Sequence, residues 1–287
     1  MPKPPLKNPA ASIRARLLNL ARERKEPFDR LLTRYVLERL LYRLSLSPHR
    51  ERFVLKGAML ITTWFEEAHR PTRDVDFLSF GPSDAEALLT TFREICAVTA
   101  DDPVRFEPKS LRVERMREDL AYGGLRLRGS ATLDTARVPL TIDIGFGDAT
   151  EPGLREIELP VLLDAPAPKL RAYAPETVIA EKFQALVMLG RANSRMKDFY
   201  DIWMLAKVHN FEGEGLARAI KATFARRTTA IPAELPDALT QAFANDPSKQ
   251  EQWADFVTQL DHAAPGLNEV IVDVAAFLMP QAERARA

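Results

Sequence analysis

Two aspartates separated by one residue, Asp74 and Asp76, have a spacing that suits metal binding. They lie in an apolar stretch that predicts a β-strand, in which residues two apart project from the same face. Carboxylates held side by side repel each other unless a cation lies between them or one is protonated. Because hard divalent ions prefer carboxylate oxygens, the pair predicts a site for Mg²⁺ or Mn²⁺.

The turn formed by Lys56, Gly57 and Ala58 is a candidate phosphate site. It follows the apolar run Phe53–Leu55, which predicts a strand, and precedes a helix expected over residues 58–65. This order would place the helix N-terminus beside the two aspartates. Free backbone N–H groups and the helix dipole favour phosphate at such a terminus.

A third acid, Asp143, lies within the apolar β run Val138–Phe146. A buried carboxylate without a partner is costly or shifts its pKa. Two interpretations stay open. Asp143 either points to solvent from an edge strand or lies next to the first acidic strand as a third ligand of the same metal site.

Lys182 lies in a helix predicted over residues 176–189 that is apolar on nearly every side. A buried lysine needs an anion. The candidates are the neighbours of Glu181, a carboxylate of the metal site or a nucleotide phosphate. Alternatively, Lys182 extends from the helix edge to solvent.

Charged residues also open the helix predicted over residues 196–208. Lys197 and Asp201 are i,i+4 neighbours, and Asp198 and Asp201 are i,i+3 neighbours. They form either an ordinary surface ion pair, worth at most ~1 kcal/mol, or a set of groups that reaches an adjacent cleft. In the second case Arg195 and Lys197 would bind phosphates.

Together these groups suit metal-assisted phosphoryl or nucleotidyl transfer. Three carboxylates, a glycine turn before a helix and several cations are the groups that this chemistry requires. We find no Walker A sequence, no kinase signature and no Ser-His-Asp grouping.

The composition agrees with a folded enzyme. The 287 residues are 46% apolar and 28% charged, with 40 basic and 40 acidic side chains, which excludes disordered and collagen-like chains. One cysteine excludes a disulfide scaffold, and the four histidines lack metal-ligand spacing. No apolar run reaches membrane-span length and the N-terminus does not resemble a signal peptide, so we expect a soluble, cytoplasmic protein.

The N-terminal segment is basic, although the net charge is zero. Residues 1–56 carry 14 Lys and Arg against 5 Asp and Glu. Such a segment is either a solvated helical face or a surface for a polyanion such as RNA. The candidate RNA contacts are Arg14, Arg16, Arg22, Arg24 and Lys25.

The pattern of elements predicts an α/β (α+β) protein with three regions. Residues 1–50 form a basic helical segment, residues 51–165 a mixed α/β core, and residues 166–287 an all-helical C-terminal domain.

Several segments resemble the AbiEii/AbiGii toxin family, in the expected order over roughly residues 10–208. They are Thr33–Leu44, Phe53–Ala58, Arg70–Phe77, Asp143–Asp148, Glu176–Ala185 and Asn193–Trp203. The resemblance implies a polymerase β-type nucleotidyltransferase core with a mixed sheet, joined to a helical domain. It also implies a toxin paired with an AbiEi-type antitoxin. Some members transfer nucleotides from NTPs to tRNA 3′ ends and thereby block translation.

The resemblance assigns roles by position. It implies that the catalytic residues are Asp74, Asp76, Asp143, Lys182 and Asp198, with the first three as metal ligands. The candidate nucleotide- and phosphate-binding residues, from the residue patterns and the resemblance together, are Lys56, Gly57, Ala58, Thr72, Arg73, Arg195, Lys197 and Asp201.

One departure concerns Ala58, because superfamily members usually have Gly-Ser or Gly-Gly at Gly57-Ala58. A missing serine hydroxyl removes a phosphate hydrogen bond worth about 0.5–1.5 kcal/mol. This departure bears on the choice of nucleotide more than on the fold. Two alternatives to RNA nucleotidyl transfer also stay open. One is transfer to a protein or small-molecule hydroxyl, and the other is a catalytically silent module that binds RNA or the antitoxin.

Overall fold

The computed structural model describes residues 8–65, 70–116, 124–211, 214–260 and 262–287. The chain forms two compact units. The first comprises Met1–Gly147 and Glu156–Ala172, and the second comprises Asp148–Arg155 and Tyr173–Ala287.

Helices occur in both units. Those before the second unit are α1 (Pro9–Arg24), α2 (Phe28–Leu46), α3 (Gly57–Ile61) and α4 (Ala85–Ala97). Those of the second unit are α5 (Pro175–Leu189), α6 (Met196–Val208), α7 (Gly215–Arg226), α8 (Gln241–Ala244), α9 (Pro247–Val257) and α10 (Leu267–Arg286). Within the described ranges, every helix is too short or too polar to cross a membrane.

The strands form one mixed sheet, which has eight strands in the described part of the chain. They are β1 (Phe53–Lys56), β2 (Val75–Ser79), β3 (Arg105–Phe106), β4 (Arg112–Arg115), β5 (Leu125–Leu133), β6 (Ala136–Phe146), β7 (Leu154–Glu158) and β8 (Lys169–Tyr173). The strand order is β3-β5-β6-β2-β1-β8-β7, and β4 also pairs with β5. The predicted mixed α/β class is confirmed.

Local signals explain several boundaries. The Asn8 side chain accepts a hydrogen bond from Ala11 N and caps α1, and Asp84 caps α4 in the same way. The predicted helix over residues 196–208 is confirmed as α6.

Other elements differ from their predictions. The sequence suggests two short strands within 125–133, whereas β5 is continuous. The sequence pattern also predicts a helix over residues 234–244, but the structure has only a 3₁₀ turn over Asp237–Leu239 and the four-residue α8. The sequence groups residues 166–172 with the helical region, but β8 pairs in parallel with β1.

An aromatic cluster directs one face of the sheet toward α4. Phe53 and Phe77 lie 5.6 Å apart between ring centres, and Phe92 of α4 lies 5.1 Å from Phe53. All three rings are buried. Because side chains alternate along a strand, the burial of Phe77 on this face directs Asp76 to the opposite face.

Part of the basic N-terminal charge is internal. Arg39 and Arg43 of α2 are 0% and 4% exposed. Arg43 forms two hydrogen bonds with Asp102, of 2.8 and 3.1 Å. Because both side chains are buried, these two arginines cannot form part of an RNA surface.

Candidate functional site

β2 lies between β1 and β6, which brings Asp76 and Asp143 side by side. Lys56 is opposite Asp76 in the β1–β2 pair, and Asp143 is opposite Asp76 in the β2–β6 pair. Directly opposite residues project from the same face of a sheet. β6 also pairs with β5, so Asp143 lies on an interior strand and the edge-strand interpretation is wrong.

Gly57 permits a close approach between the turn after β1 and Asp76. Its φ of +69° lies in the left-handed region that favours glycine. A Cβ at this position would lie 1.9 Å from Asp76 Oδ2 and 2.6 Å from Asp76 Cγ. The turn therefore contacts the Asp76 carboxylate, and only glycine leaves room for it.

The helix after this turn is short. α3 ends at Ile61 after five residues and continues as a 3₁₀ turn over Thr62–Trp64. Lys56 is half-buried and Ala58 is buried. The phosphate-binding roles of Lys56, Gly57 and Ala58 stay predictions.

Thr72 orients Asp74 immediately before β2. Thr72 Oγ1 lies 2.6 Å from Asp74 Oδ1 and 3.2 Å from the Asp74 carbonyl oxygen, and it can donate to either. Arg73 is exposed. Thr72 thus contacts a predicted metal ligand, while phosphate binding by Thr72 and Arg73 stays a prediction.

Arg126 of β5 is the partner of Asp143, a role that the sequence did not reveal. Its Nε donates to Asp143 Oδ1 at 2.7 Å, and its Nη2 donates to Oδ2 at 2.6 Å. Such bidentate, charge-assisted bonds are among the stronger interactions in proteins. Arg126 and Arg128 alternate with apolar residues, which predicts a basic face on this strand. The residues around Arg126 do not show which strand lies next to it.

Several carboxylates act on the guanidinium of Arg126. The hydrogen bond with Asp143 raises the pKa of Arg126, and desolvation opposes this effect. The negative charges of Asp143, Asp74 and Glu114 raise the pKa further. Arg126 thus supplies positive charge in the region where the sequence predicts a metal ion. We call Gly57, Asp74, Asp76, Arg126 and Asp143 the sheet site.

The donors of the sheet site fit a divalent ion in part. Carboxylate oxygens are the ligands that Mg²⁺ and Mn²⁺ prefer, and the Arg126 guanidinium acts as a stand-in cation. Among the described residues, no group of three or more His, Cys, Asp or Glu side chains is arranged to hold a metal ion. Asp143 is bound by Arg126 instead, so the fitting donors are Asp74 and Asp76.

A second group of charges lies in the second unit, between α5 and α6. Lys182 Nζ lies 2.6 Å from Asp198 Oδ1 and 2.8 Å from Asp201 Oδ2. Arg195 Nε lies 2.6 Å from Asp198 Oδ2. Both aspartate side chains are 0% exposed and the Lys182 side chain is 11% exposed. We call these four residues the Lys182 cluster.

The charges of the Lys182 cluster compensate one another. Burial alone would raise the pKa of Asp198, but Lys182 and Arg195 hold that pKa below its usual value. Lys197, by contrast, is exposed. The anions that Lys182 requires are therefore carboxylates of α6, while the catalytic and phosphate-binding roles assigned to these residues stay predictions.

Glu181 belongs to a different network, which the sequence did not indicate. Tyr173 donates its hydroxyl to Glu181 Oε1 at 3.1 Å. Arg227 Nη2 lies 3.3 Å from the same oxygen and 3.2 Å from Asp148 Oδ1. Burial, followed by the nearby carboxylates, raises the pKa of Tyr173 well above its usual range, so this tyrosine stays neutral and can donate.

The candidate RNA contacts lie on the exposed side of α1. Leu17 and Ala21 are buried, and the following residues are exposed: Arg14, Arg16, Arg22, Arg24 and Lys25. Arg16 Nη2 contacts Asp164 Oδ2 at 2.8 Å. RNA binding by this face stays a prediction.

The fold is shared with nucleotidyltransferase structures. An H. pylori protein described as a nucleotidyltransferase has a TM-score of 0.52 and 16% identity, over 88% of this chain and 96% of that chain. JHP933 from Helicobacter pylori has a TM-score of 0.50 and 16% identity, over 86% and 90% of the two chains. At this identity the likeness concerns the fold alone.

The chain belongs to the AbiEii nucleotidyl transferase toxin family of type IV toxin–antitoxin systems. The family model, described as nucleotidyl transferase AbiEii toxin, Type IV TA system, matches residues 39–277. The resemblance and the enzyme class are thereby confirmed, and membership implies an NTP substrate and an antitoxin partner. No curated protein sequence matches the chain significantly.

Proposed function

We propose that this protein transfers a nucleotide from an NTP to the 3′ end of an RNA in the cytoplasm. The RNA acceptor that we propose is tRNA. The observation that carries the proposal is the register of Asp76 opposite Asp143, with Gly57 against the Asp76 carboxylate. Transfer of this kind would block translation and growth, and an AbiEi-type antitoxin would neutralise it.

In this proposal Asp74 and Asp76 would hold Mg²⁺ or Mn²⁺, and Asp143 would be the third ligand once Arg126 releases it. A divalent ion would neutralise triphosphate charge and favour attack by a hydroxyl group. Thr72 holds the Asp74 carboxylate in place through its hydroxyl. The Gly57 turn sets the position of Asp76.

The reaction forms one bond and breaks one bond. The RNA 3′-oxygen bonds to the α-phosphorus of the NTP, and the bond between that phosphorus and the bridging oxygen of pyrophosphate breaks. The hydroxyl proton passes to solvent, and pyrophosphate leaves. Lys56 and Arg73, as candidate phosphate-binding residues, would offset charge on the phosphates, and the exposed face of α1 would bind the RNA backbone.

The test uses each of four labelled NTPs with total tRNA and full-length protein. We expect label on tRNA with the wild type and none with Asp76→Asn. The matched control is Asp255→Asn, which removes an exposed carboxylate from α9 and should leave labelling unchanged. Absence of label on tRNA with every NTP would contradict the proposal, and label on protein fractions would support a protein acceptor.

The engagement of Asp143 by Arg126 favours a second candidate, a catalytically silent module that binds RNA or the antitoxin. Thermal unfolding with Mn²⁺ and NTP separates the two. Stabilisation of the wild type that disappears in Asp76→Asn supports a working site. RNA binding without any effect of Mn²⁺ and NTP on either protein would support the silent module.

A further inference from the structure

One row of charged residues crosses five neighbouring strands of the sheet. Pairwise register joins Lys56 to Asp76, Asp76 to Asp143, Asp143 to Arg126, and Arg126 to Glu114. Directly opposite residues share a face. Along the row, a cation is followed by two anions, then by a second cation and finally by an anion. The two anions at its centre are two of the predicted metal ligands.

Arg126 is tightly bound to Asp143 but is not enclosed. Both oxygens of Asp143 accept hydrogen bonds from the guanidinium. The Arg126 side chain is nevertheless 33% exposed, against 13% for Asp143. Its long side chain can therefore move toward solvent while Asp143 stays in the sheet.

A metal ion and this guanidinium compete for the same oxygens. If Asp143 is to ligate a divalent ion, the guanidinium must leave at least one of its oxygens. A guanidinium that remained there would also repel the incoming cation, and partial burial strengthens that repulsion. Metal binding at Asp143 thus requires another partner for Arg126.

A triphosphate is such a partner. Its oxygens accept the same bidentate, charge-assisted hydrogen bonds from a guanidinium as a carboxylate does. An NTP at the sheet site would also bring more negative charge than one aspartate carries. If Arg126 moved from Asp143 to a phosphate, its guanidinium would compensate the phosphate charge. The metal ion would then compensate the charge of Asp143.

We propose that Arg126 is a displaceable counter-cation that couples metal binding at Asp143 to the arrival of the nucleotide. This inference rests on the proposed function. Without nucleotide, Arg126 occupies Asp143 and lowers the affinity of the sheet site for a divalent ion. With nucleotide, Arg126 moves to the triphosphate and Asp143 becomes available, so that NTP and metal ion each raise the affinity for the other.

Calorimetric titration of full-length protein with Mn²⁺, with and without a non-hydrolysable α,β-methylene NTP, tests this coupling. In the wild type, the analogue should increase Mn²⁺ affinity by at least about fivefold, the lower end of ordinary coupling between sites. In Arg126→Gln, Mn²⁺ affinity without nucleotide should rise by a similar factor. Addition of the analogue to Arg126→Gln should then raise Mn²⁺ affinity by a factor close to one.

Arg128→Gln is the matched control. Arg128 lies two residues further along β5, on the same face, and its Nε contacts Glu114 Oε2 at 3.1 Å. Its loss should leave both Mn²⁺ affinity and the coupling as in the wild type. In an Asp143→Asn background, Arg126→Gln should raise Mn²⁺ affinity by a smaller factor than in the wild type, because the carboxylate for which Arg126 and the metal ion compete is absent.

Arg126→Lys provides a second variant in case Arg126→Gln does not fold. One ammonium group cannot form the two parallel hydrogen bonds that a guanidinium makes with a carboxylate, so Mn²⁺ affinity should shift in the same direction as for Arg126→Gln. Equal Mn²⁺ affinity and equal coupling in the wild type and in the Arg126 variant that folds would overturn the inference. A failure of the proposed metal site itself gives a different result, because no variant, including the wild type, would then bind Mn²⁺.

Discussion

The ammonium group of Lys182 lies 2.6 Å from Asp198 Oδ1, and the aspartate side chain that it contacts is completely buried. The sequence analysis predicts catalytic roles for both residues, and in the structure each is also the other's counter-ion. Asp201, 2.8 Å from the same nitrogen, completes the contact. Any catalytic role of Lys182 therefore coexists with a structural one, and its variants must be tested for folding before activity.

We expect Lys182→Met to destabilise the protein by roughly 3–5 kcal/mol, because it leaves two buried carboxylates without their main counter-charge. The free energy of unfolding from urea titration at neutral pH measures this loss. Lys197→Met, on the exposed side of α6, is the control and should change stability by less than about 0.5 kcal/mol. Equal stability of the two variants would contradict a structural role for Lys182.

Asp198 should make stability sensitive to acid. In the folded state Lys182 and Arg195 lower the pKa of Asp198, against the effect of burial. In the unfolded chain the pKa of an aspartate is about 3.9. The stabilisation is fully present above the unfolded-state pKa and is lost as pH falls through the folded-state pKa. Below about pH 4, unfolding free energy should fall more steeply for wild type than for Asp198→Asn. Parallel curves would refute this source of acid sensitivity.

Gly57→Ala should abolish most nucleotidyl transfer. Alanine at φ +69° is strained by roughly 1–2 kcal/mol, and its Cβ would displace the Asp76 carboxylate. Labelled-nucleotide transfer and urea unfolding measure the two effects separately. The control is Gly266→Ala, because its φ is −67° and an added Cβ meets no atom within 4 Å. Full activity in Gly57→Ala would show that the position of Asp76 is not critical.

Thr72→Val should lower activity without changing stability much. The substitution removes a hydroxyl that contacts Asp74 Oδ1 at 2.6 Å, and a hydrogen bond of this kind contributes about 0.5–1.5 kcal/mol. We therefore expect roughly a 2- to 10-fold loss in transfer rate. Thr63→Val is the control, because the Thr63 hydroxyl donates to the Leu60 carbonyl oxygen at 2.7 Å. Equal rates for the two variants would rule out an orienting role for Thr72.

Local sequence patterns were sufficient for many elements of the fold. The apolar period and the Asp84 cap predict α4, and the alternation of Asp76 with Val75 and Phe77 predicts which side chains of β2 face the core. The patterns failed where an element depends on its neighbours. β8 is a five-residue strand that is defined by its pairing with β1. The residues of β8 alone do not predict which strand it pairs with.

The sequence alone was sufficient to predict the family, the core-facing alternation around Asp76, and an anion as the partner of a buried Lys182. The last two follow from patterns within a single segment, whereas the structure places Asp74 just before β2 and shows why position 57 needs glycine. Which charged groups meet depends on the tertiary fold: Arg126 contacts Asp143, and Lys182 contacts Asp198 and Asp201. Strand order and helix packing bring these residues together although they lie far apart in the chain. Charge compensation acts over a few ångströms of space, whatever the separation in sequence.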